Sequence, residues 1–252
     1  MISLQDKVVI ITGGGRGIGF GLSTAFAKAG AKLVITGRTE STLVAAKEKL
    51  EKLGTEVLCV TADGADEAAI QNVIDKTVER FGKIDAVVNN AQASASGKML
   101  VQHTKEDLDL AIYSGIYATF FYMQKAYPYL KETKGCVINF ASGAGLFGRI
   151  AQSSYAAAKE GIRGLSRVAA TEWAPDGVRV NVICPLAMTE GLQKFKEEYP
   201  ERYEQTIKGV PMGRFADPEK DVGGMCVFLC SDEASYVTGE TITLQGGSGL
   251  RP

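Results

Sequence analysis

Three side chains with proton and hydrogen-bond chemistry stand at informative intervals. Tyr155 and Lys159 lie four apart in SSYAAAKEG, and Ser142 lies thirteen residues before the tyrosine in INFASGAG. An unperturbed phenol titrates near ~10 and a lysine ammonium near ~10.4, so neither is a neutral-pH acid or base unaided. A cation held beside the phenol favours phenolate and makes tyrosine usable as an acid or base. That chemistry suits exchange between a carbonyl and its alcohol. On a helix, positions i and i+4 share a face, so Tyr155 and Lys159 project together. Ser142 joins them only if the fold brings it there.

The elements that would do so are legible in the hydropathy. Short β-branched apolar runs alternate with longer helical patterns. KVVIIT precedes a helix ending near Ala29, AKLVIT a helix over 41–53, EVLCVT a helix over 67–81, and DAVVN a long helix over about 106–130. CVINFA, a helix through Tyr155 and Lys159 to Trp173, VRVNVI, a charged segment, a helix over about 219–229 and TITLQ complete the series. Strands apolar throughout and separated by helices form parallel sheets covered on both faces. The predicted fold class is α/β: a doubly wound, Rossmann-like parallel sheet of about seven strands with helices on both faces. No linker or composition break divides residues 1–252, which read as a single domain. Ligands of such sheets bind outside the carboxyl ends of the strands, where strand order reverses. Ser142 follows CVINFA directly and the Tyr155 helix starts after a short loop, so all three residues can converge on that edge.

Between the first strand and the first helix lies Thr12-Gly13-Gly14-Gly15-Arg16-Gly17-Ile18-Gly19. Glycine there permits unusual backbone angles and lets a pyrophosphate approach backbone N–H groups at a positive helix terminus. The second strand ends in Ile35-Thr36-Gly37-Arg38, where an enzyme reading an unphosphorylated ribose usually places an acid. Gly37 removes the acid, and Arg38 with Arg16 supplies two guanidiniums suited to gripping a 2′-phosphate. The expected cofactor is therefore NADP(H), with NAD(H) the alternative.

The TGxxxGIG spacing of Gly13, Gly17 and Gly19 resembles that of the short-chain dehydrogenase/reductase family. The resemblance runs along the whole chain through Asp63, Asn89-Asn90-Ala91, Ser142, Tyr155 and Lys159, Asn181, Pro185 and Thr189, PMGR at 211–214 and YVTG at 236–239. It implies that Tyr155 gives its proton to a carbonyl oxygen as hydride arrives from the nicotinamide, that Ser142 holds the substrate oxygen, and that Lys159 lowers the tyrosine pKa and binds the nicotinamide ribose. It implies cofactor contacts from Gly13, Gly15, Arg16, Gly17, Ile18, Gly19, Arg38, Asp63, Gly64, Asn89, Ala91, Tyr155, Lys159, Pro185 and Thr189. Homotetramers or homodimers are the family's usual assemblies, and the series Tyr117, Phe120, Phe121, Met123 and Tyr127 is compatible with such an interface.

Three positions depart from the family pattern. Its Asn-Ala-Gly becomes Asn90-Ala91-Gln92, its Pro-Gly after the sixth strand becomes Pro185-Leu186, and the asparagine expected in the long helix is Gly115. In the family that asparagine is thought to hold a water joining the lysine to solvent. The relay here must use backbone, Ser114, Gln92 or bulk water, and a mid-helix glycine suggests a kink or close packing at that point.

Candidate substrate contacts are Gln92, Ser94, Leu146, Gln152 and Leu186, mainly apolar with a few hydrogen-bonding groups. They favour a neutral, hydrophobic or cyclic ketone or secondary alcohol, such as a steroid-like molecule. Residues 186–212, rich in charge and aromatics, form the expected substrate lid, with Phe195, Tyr199 and Tyr203 positioned to close over an apolar ligand. The expected activity is thus an NADP-dependent short-chain dehydrogenase/reductase acting on a CH–OH or C=O group. The alternatives are a racemase, dehydratase or enoyl reductase on the same scaffold, or a dinucleotide sensor without turnover.

Composition excludes several other classes. A net charge of −1 offers nothing to nucleic acid or an anionic membrane, and no apolar run reaches the ~18 residues of a membrane span. A cytoplasmic enzyme with a small-molecule substrate is expected. Five cysteines, mostly within apolar runs, fit reduced thiols better than a disulfide framework. Cys226 and Cys230 share a helix face but lack histidines nearby, so no metal site is expected. The sole histidine, His103, is assigned no role.

Overall fold

The alternation of apolar and amphipathic stretches in the sequence becomes an alternation of strands and helices. The computed structural model describes residues 2–249. Strands β1 (Val8–Thr12), β2 (Lys32–Gly37), β3 (Val57–Thr61), β4 (Ala86–Asn89), β5 (Cys136–Phe140), β6 (Arg179–Pro185) and β7 (Thr241–Leu244) form one sheet. Their order is β3-β2-β1-β4-β5-β6-β7, and every neighbouring pair is parallel. The principal helices are α1 (Gly17–Lys28), α2 (Glu40–Glu51), α3 (Glu67–Phe81), α4 (Lys105–Ala111), α5 (Ala118–Thr133), α6 (Gly143–Phe147), α7 (Ser153–Trp173), α8 (Glu190–Glu198), α9 (Pro200–Lys208) and α10 (Gly224–Cys230).

Strand β1 explains why the apolar runs are unbroken. Val9 and Ile11 pack on one side with Leu22 and Phe26 of α1 and Leu43 of α2. Val8 and Ile10 pack on the other with Ile70 and Ile74 of α3 and Tyr122 and Leu130 of α5. Successive strand residues face opposite sides, so a strand covered on both must be apolar at every position. No disulfide joins the five cysteines among the described residues.

Strand order reverses between β1 and β4, and the two strand ends are tied across that crevice. Thr12 Oγ1 accepts hydrogen bonds from the Asn90 and Ala91 N–H groups, both at 3.0 Å, and Asn90 Nδ2 donates to Thr12 O at 3.0 Å. Behind the crevice runs a buried polar chain. Asn89 Nδ2 donates to Asn139 Oδ1 at 2.8 Å, Asn139 Nδ2 to Ser166 Oγ at 2.8 Å, and Ser166 Oγ to Ile162 O at 2.7 Å. It joins β4, β5 and α7 through groups that would be costly if left unpaired.

The kink or close packing expected at Gly115 takes the form of a π-helical turn over Ile112–Tyr117 that breaks the long helix after β4, with Gly115 buried inside it. Ser114 Oγ donates to Leu110 O at 2.5 Å, competing for a carbonyl that the helix would otherwise use, and glycine supplies little helical preference to resist the widening. The loop expected after Ser142 is instead α6, capped by Ser142 Oγ, which accepts from the Ala144 N–H at 3.1 Å. The aromatic series proposed as an interface also divides. Met123 is buried in the core, Phe121 packs against it, Tyr127 lies against Trp173 with ring centroids 4.7 Å apart, and Tyr117 and Phe120 stay exposed.

Removing the Asn139 carboxamide leaves Asn89 Nδ2 without its acceptor, which costs about 1–3 kcal/mol. Asn139→Ala should therefore lower the thermal midpoint by several degrees, at about 2–4 °C per kcal/mol for a chain of this size. Calorimetry giving an unchanged midpoint would show that the buried chain contributes nothing to stability.

Candidate active site

The glycine-rich turn after β1 adopts conformations that demand its residue types. Gly13 and Gly17 have φ of +67° and +53°, in the left-handed region that glycine occupies without strain. A Cβ on Gly19 would stand 2.0 Å from Gly13 O, so no side chain fits where α1 approaches the turn. Nothing lies within 4 Å of the Cβ position of Gly17, which faces open space. The result is an open turn running into a helix N-terminus, the arrangement that receives an anion.

This turn forms one wall of a cleft of about 860 Å³ along the carboxyl edge of β1, β2 and β4. Of the sequence-predicted cofactor residues, Gly13, Gly15, Arg16, Gly17, Ile18, Gly19, Arg38, Asp63, Gly64, Asn89, Ala91 and Thr189 all line it. Pro185, Tyr155 and Lys159 do not; Pro185 ends β6, and the other two lie on α7. Thr39 and Thr42 stand beside Arg38 at the β2 end, a pair that the sequence did not single out although threonines next to an arginine are a visible signal for a phosphate. Asn89 Oδ1 is buried without a partner among the described residues, an acceptor still available at the cleft. The cradle, the two arginines and this free acceptor fit a dinucleotide.

Ser142, Tyr155 and Lys159 do converge. Ser142 caps α6 at the end of β5, and its hydroxyl is near enough to the Tyr155 phenol to lower its pKa. The Lys159 ammonium stands 5.5 Å from the Tyr155 ring centroid and donates to Phe140 O at 2.6 Å. Lys159 is only 4% exposed, and burial draws its pKa down from 10.5 to about 7. Burial likewise raises the Tyr155 phenol, while the Ser142 hydroxyl and the Arg149 charge lower it. Burial has the largest effect on the phenol, and a lysine near pKa 7 carries only part of its charge at neutral pH.

The substrate contacts fare unevenly. Gln92 lines the cleft. Ser94, Leu146 and Gln152 lie outside it, with Ser94 Oγ 3.3 Å from Ser96 Oγ, Leu146 packed on Ala141, Val182 and Cys184, and Gln152 at the start of α7. Leu186 belongs to a small apolar cluster beneath α8 and α9 rather than to the cleft. Phe195 and Tyr203 are in that same cluster, with Val210 and Phe215, because two short helices at the sheet edge need an apolar core of their own; Tyr199 remains half exposed. Ser114 is committed to backbone: its hydroxyl accepts from Ala93 N–H at 3.0 Å and lies 2.9 Å from Ala93 O and 2.5 Å from Leu110 O. It fastens the chain after β4 to the π-turn. Among the described residues no cluster of ligands could hold a metal ion, and no helix is long and apolar enough to cross a membrane.

Comparison with known proteins places this geometry. A family model described as enoyl-(acyl carrier protein) reductase matches residues 13–248. The chain is 59% identical to a 12alpha-hydroxysteroid dehydrogenase from Clostridium sp., with 98% of each covered. Its structure is similar to L-sorbose reductase from Gluconobacter frateurii complexed with NADPH and L-sorbose, at TM-score 0.93 and 28% identity over 100% of this chain and 99% of that one. It is also similar to 3-ketoacyl-(acyl-carrier-protein) reductase from Brucella melitensis complexed with NADH, at TM-score 0.89 and 29% identity over 98% and 100%. Motifs, fold and relatives agree over almost the whole length, and the chain belongs to the short-chain dehydrogenase/reductase family, oxidoreductases that act on CH–OH and C=O groups.

Proposed function

We propose that this protein is an NADP(H)-dependent dehydrogenase for a hydroxyl group on a neutral, hydrophobic, cyclic molecule, with a steroid 12α-hydroxyl as the first position to test. The observation that carries the reaction type is the convergence of Ser142, Tyr155 and Lys159 at the carboxyl edge of the sheet. The 59% identity to a 12alpha-hydroxysteroid dehydrogenase over nearly both whole chains supports the substrate class. Arg16 and Arg38, lining the cleft with Thr39 and Thr42 where an acid would otherwise meet a ribose hydroxyl, support the phosphorylated dinucleotide.

The dinucleotide, when bound, supplies or accepts the hydride. The chain's own residues then handle the proton and the oxygen. Ser142 donates a hydrogen bond to the substrate oxygen, and Tyr155 Oη gives a proton to that oxygen in reduction or takes it in oxidation. Lys159, fixed on Phe140 O beside the phenol ring, supplies positive charge to the phenolate in its protonated form. Arg16 and Arg38 would hold the 2′-phosphate, and the open turn at Gly17 the pyrophosphate.

Tyr155→Phe should abolish turnover of a 12α-hydroxysteroid while leaving NADPH binding, followed by fluorescence titration, within about twofold of wild type, since the phenol hydroxyl serves the chemical step. Retained turnover would remove Tyr155 from its role. Arg38→Asp should raise the dissociation constant for NADPH at least about tenfold more than that for NADH, because it replaces a charge-assisted contact by a repulsion. Equal weakening of both would exclude Arg38 as the reader of the phosphate.

The buried lysine also sets a pH dependence. Its folded pKa of about 7 lies below the ordinary 10.5, so between those values the unfolded chain binds a proton that the folded chain does not. Stability should rise with pH across that window, and the destabilisation is fully present only below about 7. Thermal midpoints of the protein without dinucleotide should climb more steeply from pH 7 to pH 10 than those of Lys159→Met. Parallel profiles would mean that the lysine keeps an ordinary pKa.

A further inference from the structure

Gln92 and Gly115 share one space. A Cβ on Gly115 would stand 3.0 Å from both Cδ and Nε2 of Gln92 and 3.3 Å from its Oε1. Ordinary carbon contacts lie at ~3.5–4.0 Å, so the carboxamide rests directly on the backbone of the π-turn and any side chain at 115 would displace it. The chain is clamped on both sides of Gln92. Ala91 N–H donates to Thr12 Oγ1 and Ala93 N–H to Ser114 Oγ, each at 3.0 Å. The position of the amide is therefore built, not incidental.

Both polar atoms of that carboxamide are buried, and neither meets a hydrogen-bonding partner among the described residues. An unpaired buried polar group costs about 1–3 kcal/mol. A clamp that holds two such groups away from protein partners positions them for something the site itself admits. Gln92 lines the dinucleotide cleft on one side. On the other, the π-turn beneath it packs against α7, where the Cβ position of Gly161, two residues beyond Lys159, lies 2.4 Å from Ile116 Cδ1. Lys159 itself is anchored at Phe140 O, on the strand next to the one that leads into Gln92. An ammonium has three N–H donors, and Phe140 O takes one.

We propose that Gln92 is the positioning residue of the proton path: its carboxamide, seated over Gly115, holds the water through which Lys159 and Tyr155 exchange protons with solvent. The inference rests on the oxidoreductase reading above. Each carbonyl reduced removes one proton from Tyr155 Oη, and the phenolate recovers one from solvent, so one solvent proton is consumed per turnover. The amide donates through Nε2 and accepts through Oε1 to hold the water, and is itself neither protonated nor deprotonated. A side-chain amide has thus moved from the helix to the facing loop, and a glycine on the helix makes room for it.

The test compares wild type, Gln92→Leu, and the exchange Gln92→Gly with Gly115→Asn, using NADP⁺ and a 12α-hydroxysteroid. Gln92→Leu keeps the volume and loses both polar atoms. It should bind NADPH normally, keep KM, lower kcat about tenfold, shift the pH profile of kcat and enlarge its solvent deuterium isotope effect. The exchange returns a carboxamide from the other wall and should restore kcat and the pH profile. An unchanged kcat and pH profile in Gln92→Leu overturns the proposal, as does a raised KM at unchanged kcat, which would make Gln92 a substrate contact. Loss of NADPH binding in Gln92→Leu overturns it as well, assigning the residue to the cofactor. A wild type that binds NADPH but oxidises no alcohol sinks the oxidoreductase reading, and the relay with it.

Discussion

A buried lysine on a strand-end carbonyl fixes how α7 sits against β5. Lys159, 4% exposed, is held by Phe140 O at 2.6 Å. Burying a charge is costly, and the chain accommodates it partly by lowering the lysine pKa to about 7. The arrangement needs the helix and the strand in a fixed relation. Ser166, two turns further along α7, accepts from Asn139, the residue before Phe140. Two adjoining residues of β5 thus grip one face of α7 at positions seven apart, which share that face. Tyr155, one turn before Lys159, is carried to the end of β5 as a consequence, and Ser142 arrives there because it follows the same strand.

The same edge holds the dinucleotide cleft for a topological reason. Strand order reverses between β1 and β4, so the loops leaving them part in opposite directions and open a crevice. Thr12 bridges its floor through Asn90 and Ala91. The close approach of Gly19 to Gly13 O lets α1 begin directly at the turn, with its positive end toward the crevice. The cleft and the group of Ser142, Tyr155 and Lys159 are separate constructions, linked by the Asn89–Asn139 hydrogen bond between β4 and β5.

Departures from the family pattern look like defects when each is taken alone and become intelligible in pairs. Gly115 removes a side chain from the long helix, and Gln92 fills the space from the facing loop. Ser114 disturbs the helical hydrogen bonding, and the resulting π-turn lets its hydroxyl fasten Ala93. Leu186, where glycine is usual, is absorbed by the apolar cluster under α8 and α9. Position 186 therefore packs into that cluster and does not line the cleft.

Fold class, strand sequence, the glycine turn and the identity of Ser142, Tyr155 and Lys159 were determined by the sequence alone. Apolar runs buried on both faces, left-handed turns and helix-face spacing are local properties that leave local signatures. Asn139 left such a signature too, as a polar residue inside the apolar run CVINFA, and its meaning appeared only with its partners. The tertiary structure alone decided that Gln92 lies over Gly115, that Ser114 bonds backbone, that Leu186 and Tyr203 share an apolar cluster under α8 and α9, and that burial raises the Tyr155 phenol. Those outcomes depend on distances between residues far apart in the chain and on how much water the packed fold excludes, quantities that no local pattern encodes.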